Sequence, residues 1–187
     1  MISARRAMPA HYRTAGHALC LPADMPENKV PPLPEGAGTP PLRGKAILVA
    51  VAGPDRLRRI LAGHDLTLPS TVDEAKVELQ KREFAMILLG VNFDESRMFE
   101  LLRLVRTYRS NQLTPVVCML TTESRLSDVA IEGLDHAVKA MLANAFLNLN
   151  RFPDDDAGNA RVRRIIDYLI LIDGDMHGGF EYVHEKS

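Results

Sequence analysis

"FAMILLGVNFDES", residues Phe84–Ser96, joins six apolar residues to a polar loop through Gly90. A continuous apolar run of this length is typical of a strand that is buried on both faces of a parallel sheet. The loop that follows it carries Asn92, Asp94, Glu95 and Ser96. The pattern therefore predicts a central parallel strand whose last residue, Gly90, lies at the mouth of a ligand site.

Four further strands are predicted from apolar runs at Ala46–Val51, Asp65–Leu68, Pro115–Thr122 and Ala145–Asn150. Amphipathic segments separate these runs, and the last segment leads from the acidic turn at residues 154–156 through Ile172. Strands that alternate with helices form parallel sheets, because parallel neighbours need a crossover connection. The chain is therefore predicted to be an α/β protein, a three-layer sandwich with helices on both faces of one five-stranded parallel sheet.

The composition is that of an ordinary globular protein. The chain has 187 residues, of which 46% are hydrophobic and 25% are charged, and its formal net charge is -1. These values exclude the disordered and membrane-spanning classes, and the charge gives no reason to expect a nucleic acid or a membrane as a partner. Because only Cys20 and Cys118 occur, neither a disulfide framework nor a cysteine metal site is expected. We expect a cytoplasmic protein.

Prolines and glycines divide the chain into three parts. Eight of the twelve prolines precede Arg43 and show no apolar periodicity, so residues 1–43 are interpreted as a disordered or extended leader. Within it, the stretch VPPLPEGAGTPP could alternatively be a polyproline ligand. Residues 44–172 carry the strand and helix pattern and form the predicted domain. Residues 173–187 are predicted to form a flexible tail, whose Asp and His residues match no metal-ligand spacing.

Three segments resemble the receiver domain of two-component response regulators, the CheY-like family. They are KAILVAVAGPDRLRRIL, FAMILLGVNFDESRMFELLRLVR and TPVVCMLTTES, and they agree with that family in order, spacing and apolar pattern. The resemblance covers about Lys45 to Ile172. It implies a flavodoxin-like fold with strand order 2-1-3-4-5 and a role in two-component signalling.

The resemblance also implies a pocket for phosphorylation. Receivers accept a phosphoryl group on an aspartate that ends the third strand, and two acidic residues after the first strand hold Mg²⁺. A Ser or Thr after the fourth strand and a Lys after the fifth strand contact the phosphate. In this chain the corresponding residues, here called the degenerate phosphorylation pocket, are Val51, Ala52, Gly90, Asn92 and Thr121.

The chemistry of this pocket is missing from the sequence. Gly90 stands at the acceptor position, Val51 and Ala52 stand at the acidic pair, and residues 148–150 (NLN) stand where a lysine would be expected. The losses are mutually consistent, because a lysine without its carboxylates would be left partly buried and unpaired. We therefore predict a pseudo-receiver without aspartyl phosphorylation, metal site, cofactor or enzymatic activity.

Other interpretations of the same residues stay open. Gly90 can simply end a strand or admit a close backbone approach, and Thr121 can be an ordinary strand-end hydroxyl. Asp94 or Glu95 could replace the missing acceptor, although each lies in a loop and would have to fold back into the pocket. The pocket could also admit an uncharged ligand and make the protein a small-molecule sensor. An enzyme of another flavodoxin-like family is a further alternative.

The last helix has more apolar surface than one sheet-facing stripe requires. Tyr168, Leu171 and Ile172 lie around the circumference beyond that stripe. They predict either a homodimer, since receivers often pair through their last helices, or packing under the C-terminal tail. Signalling proteins are the expected partners.

Charged and titratable residues outside the pocket suggest no second site. Arginines cluster at residues 56–59, 103–109 and 161–164 and are interpreted as solvated or salt-bridged faces rather than a nucleic-acid surface. His64 and His136 have no nucleophile or orienting acid at a short spacing along the chain.

Overall fold

The computed structural model describes residues 45–121 and 126–177, with side chains described as far as Leu171. The predicted leader, and the predicted tail from residue 178 onward, lie outside the described residues. In chain order the elements are β1 (Ala46–Ala50), α1 (Asp55–Ile60), β2 (Asp65–Thr67), α2 (Val72–Lys81), β3 (Met86–Gly90), α3 (Met98–Thr107), β4 (Val116–Leu120), α4 (Asp128–Ala140), β5 (Ala145–Asn148), a 3-10 turn (Leu149–Arg151) and α5 (Asp156–His177).

The five strands form one parallel sheet in the order β2-β1-β3-β4-β5. Ala50 of β1 lies opposite Leu89 of β3, and Gly90 lies opposite Met119 of β4. The carboxyl ends of these three central strands therefore meet at one edge of the sheet. The predicted parallel sheet and the predicted strand order are both confirmed.

Alternating residues of the strands build two separate cores. Ile47 and Val49 of β1 face the layer that contains α1 and α5, and Leu48 and Ala50 face the layer that contains α2, α3 and α4. All four residues are at most 1% exposed. Because both faces are covered, the central strands have no polar alternation, which is why their sequences are continuous apolar runs. The three-layer sandwich is confirmed.

Asn111 joins three elements of the second core from a fully buried position. Its Nδ2 donates to the carbonyl oxygens of Leu79 and Arg82, at 3.0 and 3.1 Å. These bonds give hydrogen-bond donors to carbonyl groups at the carboxyl end of α2. Its Oδ1 accepts from the backbone amide of Phe84 at 3.1 Å, just before β3. This one amide side chain therefore fixes the turn between α2 and β3 against the α3–β4 connection.

Several predicted element ends differ from the observed ones, most clearly at the last strand and the last helix. The last strand ends at Asn148 rather than Asn150, because the Asn148 Oδ1 accepts from the Asn150 backbone amide at 3.0 Å and begins the 3-10 turn. The last helix continues to His177, past the predicted end at Ile172. Gly174 does not end it, since one glycine inside a helix costs only about 1 kcal/mol. The predicted boundary between domain and tail therefore falls inside α5.

Within the ranges 45–121 and 126–177, none of the helices is both long enough and apolar enough to cross a membrane.

Candidate functional site

The carboxyl edge of the sheet is where open α/β sheets bind ligands, and Gly90 lies at its centre. Gly90 ends β3 and is buried, and Val51 directly follows β1 beside it. A Cβ atom added to Gly90 would lie 3.1 Å from the Val51 Cα and 3.2 Å from the Val51 Cγ1. The structure therefore brings these two predicted pocket residues together, and the valine side chain fills the space beside the glycine.

Val51 is part of the hydrophobic core rather than of an open cleft. Its side chain is 5% exposed and belongs to the cluster that contains Leu57 of α1 and Val162 of α5. A carboxylate at this position would lose its hydration without gaining a partner of opposite charge among these apolar neighbours. The arrangement at Gly90 and Val51 is therefore one of apolar packing.

Thr121 stands at the same edge, directly after β4. Its Oγ1 is buried, and none of the residues in ranges 45–121 and 126–177 forms a hydrogen bond with it. The two remaining predicted pocket residues are more accessible, with Ala52 half-buried and Asn92 exposed. Thr121 thus supplies the hydroxyl group of the degenerate phosphorylation pocket, and this hydroxyl is buried.

Asp94, the alternative acceptor, is bound to the start of α2. Its Oδ2 accepts from the Val72 backbone amide at 2.8 Å and from the Arg97 Nη1 at 2.9 Å. Both the backbone amides at the amino terminus of a helix and a guanidinium group form strong hydrogen bonds to carboxylate oxygens. Asp94 therefore links the β3–α3 loop to α2, a role that the sequence analysis did not foresee because Val72 lies 22 residues away.

The β3–α3 loop has an unusual backbone. Asp94, Glu95 and Ser96 have φ values of 43°, 56° and 67°, so three consecutive residues with side chains adopt the left-handed region. Each such residue costs about 1–2 kcal/mol relative to the right-handed form. Arg97 closes the loop, since its backbone amide donates to Phe93 and Asp94 and its side chain hydrogen bonds to Glu100 and lowers the pKa of that carboxyl.

The segment after β5, where receivers carry a lysine, is held by an arginine from α1. Arg56 donates to the carbonyl oxygens of Phe152 and Pro153 at 2.9 and 2.7 Å, and to the Oδ1 of Asn159 at 2.9 Å. Its side chain is only 10% exposed. The neighbouring Arg59 forms an ion pair with Asp154 at 2.7 Å. These arginines of the first cluster therefore hold the β5–α5 connection in place, in agreement with the interpretation of a salt-bridged face.

The proposed contact residues lie on the second half of α5. Tyr168 and Leu171 are half-buried, whereas their neighbours Leu169 and Ile170 are buried. The side chain of Ile172 lies outside the described part of the chain. Tyr168 and Leu171 thus leave part of their surface on α5 accessible to solvent.

The opposite edge of the sheet carries exposed apolar side chains that the sequence analysis missed. Leu113 and Leu142 are 62% and 70% exposed, and they belong to two loops that Arg106 joins through the carbonyl oxygens of Gln112 and Leu142. A cleft of about 350 Å³ adjoins Leu113. Its lining includes Lys45, Phe84, Arg109, Pro115 and Ile170. Surface exposure of single leucines has no sequence signature, because it depends on which loops the fold brings together.

Comparison with known proteins gives structural neighbours only. No protein-family model and no curated protein matches the sequence. A CheY-like response regulator receiver domain protein from Methanospirillum hungatei matches with a TM-score of 0.53 and 16% identity, over 71% of this chain and 98% of that chain. The receiver domain of a sensor histidine kinase from Pseudomonas aeruginosa, which coordinates a magnesium ion in its active site cleft, matches with a TM-score of 0.50 and 18% identity, over 68% and 98%.

A third neighbour, NtrX from Brucella abortus, matches with a TM-score of 0.56 and 20% identity, over 72% of this chain and 29% of that chain. All three identities are low, so the likeness is one of fold. The fold is the flavodoxin-like fold of CheY-like receiver domains.

Proposed function

We propose that this chain is a receiver-like signalling module that is not phosphorylated on aspartate and that acts through protein–protein contacts as a homodimer. In this proposal residues 44–172 form the module, extended by the rest of α5, and no enzymatic step is involved. The single observation that carries the proposal is the contact between Gly90 and Val51, with 3.2 Å between the Val51 Cγ1 and the position of a Cβ on Gly90.

Phosphoryl transfer to a carboxylate depends on positive charges that neutralise the transferring group. At the carboxyl edge of this sheet, positions 51, 52 and 90 carry valine, alanine and glycine, and residues 148–150 carry no lysine. Neither the acceptor nor the charges around it are therefore available. The remaining Thr121 hydroxyl has no phosphate to contact.

The Asp94 carboxylate does not take over the acceptor role in this proposal. Both the Val72 amide and the Arg97 guanidinium hold its Oδ2, at 2.8 and 2.9 Å. Attack from within the pocket at Gly90 would require the carboxylate to leave the start of α2. The cost is the loss of two hydrogen bonds that involve a charged group, each worth about 1.5–3 kcal/mol.

The test is incubation of the full chain with acetyl phosphate and Mg²⁺, followed by intact mass measurement. We expect the mass to stay unchanged, whereas a receiver domain with an acceptor aspartate, treated in parallel, gains a phosphoryl group. Asp94→Asn is the matched variant. A stable phosphoryl group on the wild-type chain that is absent from Asp94→Asn contradicts the proposal.

The α5 surface of Tyr168, Leu171 and Ile172 is the proposed site of homodimer contact. In this proposal the three side chains form one apolar patch that a second copy of the chain covers, and closed two-fold pairs are the commonest oligomers. Leu171→Glu is therefore expected to convert a dimer into a monomer in analytical ultracentrifugation. Val129→Glu, at a 79% exposed position on α4, is the control that adds the same charge elsewhere.

A wild-type chain that sediments as a monomer at micromolar concentration contradicts the dimer. A dimer that survives Leu171→Glu in a chain with unchanged circular dichroism contradicts the surface. The small-molecule sensor is less well supported, because the Val51 side chain already occupies the space beside Gly90 that such a ligand would fill.

A further inference from the structure

His64 connects α1 to β2, and its side chain is fully buried against α5. The Arg163 Nη2 lies 3.0 Å from its Nε2, and the Asp167 Oδ1 lies 3.7 Å from the same atom. The sequence showed no acidic partner for His64 at short spacing. In the structure that partner is Asp167 of α5, about a hundred residues later in the chain. These three side chains are called the α5 latch below.

Arg163 holds the end of α1 at the same time. Its Nη1 donates to the carbonyl oxygens of Ile60 and Ala62 at 2.7 and 3.1 Å, and its Nε donates to the Asp167 Oδ2 at 3.1 Å. A guanidinium can only donate hydrogen bonds, so the His64 Nε2 at 3.0 Å must accept. The neutral ring therefore carries its hydrogen on Nδ1.

Two buried polar atoms of the latch have no hydrogen-bond partner within ranges 45–121 and 126–177. They are the Nδ1 of His64 and the Oδ1 of Asp167. Buried polar atoms without partners are rare in folded proteins, so each such atom calls for an explanation. A proton on the His64 Nε2 would supply the hydrogen that the Asp167 Oδ1 lacks.

We propose that the α5 latch is a proton-operated switch in which protonation of His64 exchanges its Arg163 hydrogen bond for an ion pair with Asp167. The proton comes from solvent and binds to Nε2, so that this atom changes from acceptor to donor. The Arg163 Nη2 then faces a donor of like charge and must move away. The α1–β2 connection thereby exchanges its contact with Arg163 for one with Asp167, both on α5, while Arg163 keeps its bonds to the carbonyl oxygens of Ile60 and Ala62.

The surroundings of His64 favour its neutral form, which is the form that accepts from Arg163. Burial lowers the pKa of His64 below its ordinary value and the Arg163 guanidinium lowers it further, whereas Asp167 acts in the opposite direction. Asp65, the next residue in the chain, is paired with Arg82 on the other side of β2. The charged side chains that act on the ring are therefore both on α5.

The sign of the stability effect follows from the lowered pKa. Above the ordinary histidine pKa of about 6.5, the ring is neutral in both the folded and the unfolded chain, and the full stability is present. As the pH falls below that value, the unfolded chain takes up a proton before the folded chain does. The unfolding equilibrium constant then rises by up to about tenfold per pH unit until the pKa of the folded chain is reached.

The first test is the protonation state of His64 in the full chain, read from the ¹⁵N shifts of its ring. We expect the hydrogen of the neutral ring on Nδ1, a titration below that of a free histidine, and loss of the Arg163 contact on acidification. A neutral ring with its hydrogen on Nε2 overturns the proposal. This measurement depends on neither phosphorylation nor dimerisation.

Two variants separate the switch from a merely structural cluster. His64→Gln keeps an acceptor for Arg163 that cannot titrate, so the rise of the unfolding constant that begins just below a pH of about 6.5 should become smaller, whereas His136→Gln at an exposed position of α4 should keep it. Asp167→Asn removes the second partner and should lower the pH at which His64 titrates. The proposal is overturned if His64→Gln leaves the rise of the unfolding constant just below a pH of about 6.5 unchanged, or if Asp167→Asn leaves the His64 titration unchanged.

Discussion

Gly158 lies in the first turn of α5, where the chain turns sharply from the β5–α5 connection into the helix. A Cβ atom at this position would lie 2.1 Å from the Pro153 carbonyl oxygen and 3.2 Å from the Asp155 Oδ1. The first distance is about 1 Å shorter than the closest usual contact between carbon and oxygen. Gly158→Ala therefore cannot be accommodated without moving backbone.

The expected cost of Gly158→Ala has three parts. Overpacking a fixed contact costs about 1–3 kcal/mol, and the Asp155 cap on the Gly158 amide, at 2.7 Å, contributes about 1 kcal/mol that the shift would weaken. Alanine returns about 1 kcal/mol through its higher helix propensity. The net loss in the free energy of unfolding is therefore about 2 kcal/mol. Displacement of the Pro153 carbonyl also weakens its bond to Arg56.

The matched control is Gly133→Ala on α4, where an added Cβ meets nothing within 4 Å. The same substitution should there raise the free energy of unfolding by about 1 kcal/mol. Urea denaturation of the two full-length variants measures both values, and the melting temperatures should move in opposite directions by about 2–4 °C per kcal/mol. If Gly158→Ala is as stable as Gly133→Ala, the close approach at the start of α5 does not exist in solution.

Three further predictions concern single buried or strained residues. Asn111→Leu should lower the free energy of unfolding by about 3 kcal/mol, because it leaves the Phe84 amide and the Leu79 carbonyl buried without partners. A loss below about 1 kcal/mol in urea denaturation contradicts this prediction. Leu142→Gly should raise the free energy of unfolding by up to about 1 kcal/mol, because Leu142 is exposed and has a φ of 64°, in the left-handed region that favours glycine. A lowered melting temperature argues against backbone strain at this residue. In a Cys20→Ser chain, a maleimide should label Cys118 only after unfolding, because burial raises the pKa of this thiol to about 12. Rapid labelling of the folded chain would mean that β4 opens readily.

The central part of the fold could be predicted from the sequence because its strands are buried on both faces. The run Met86–Gly90 has every residue buried, and such a strand leaves an unbroken apolar signal. Element ends were less predictable. The end of β5 depends on one side-chain hydrogen bond from the Asn150 amide to Asn148, and an alternating apolar pattern continues past it regardless.

The contacts of the candidate site depend on residues far apart in the chain, and local patterns do not encode them. The resemblance to receivers predicted a pocket between Val51, Gly90 and Thr121, yet it did not reveal that the valine side chain occupies the space beside the glycine. The bond between Asp94 and the Val72 amide joins residues 22 positions apart, and the bond between His64 and Arg163 joins residues 99 positions apart. Each depends on which helices the sheet topology brings together.

Val51 gives the carboxyl edge of the sheet a different physical role from that of a charged pocket. It belongs to the same apolar cluster as Phe152, Val162 and Ile166, so the edge is joined to α5 by side-chain packing. A packed core resists continuous deformation and transmits a change only when a whole element shifts. A partner that binds α5 can therefore shift the packing at this edge only if the partner binds one position of the helix more tightly than another. In the proposed function, binding of such a partner therefore takes the place of phosphorylation as a source of free energy for moving α5.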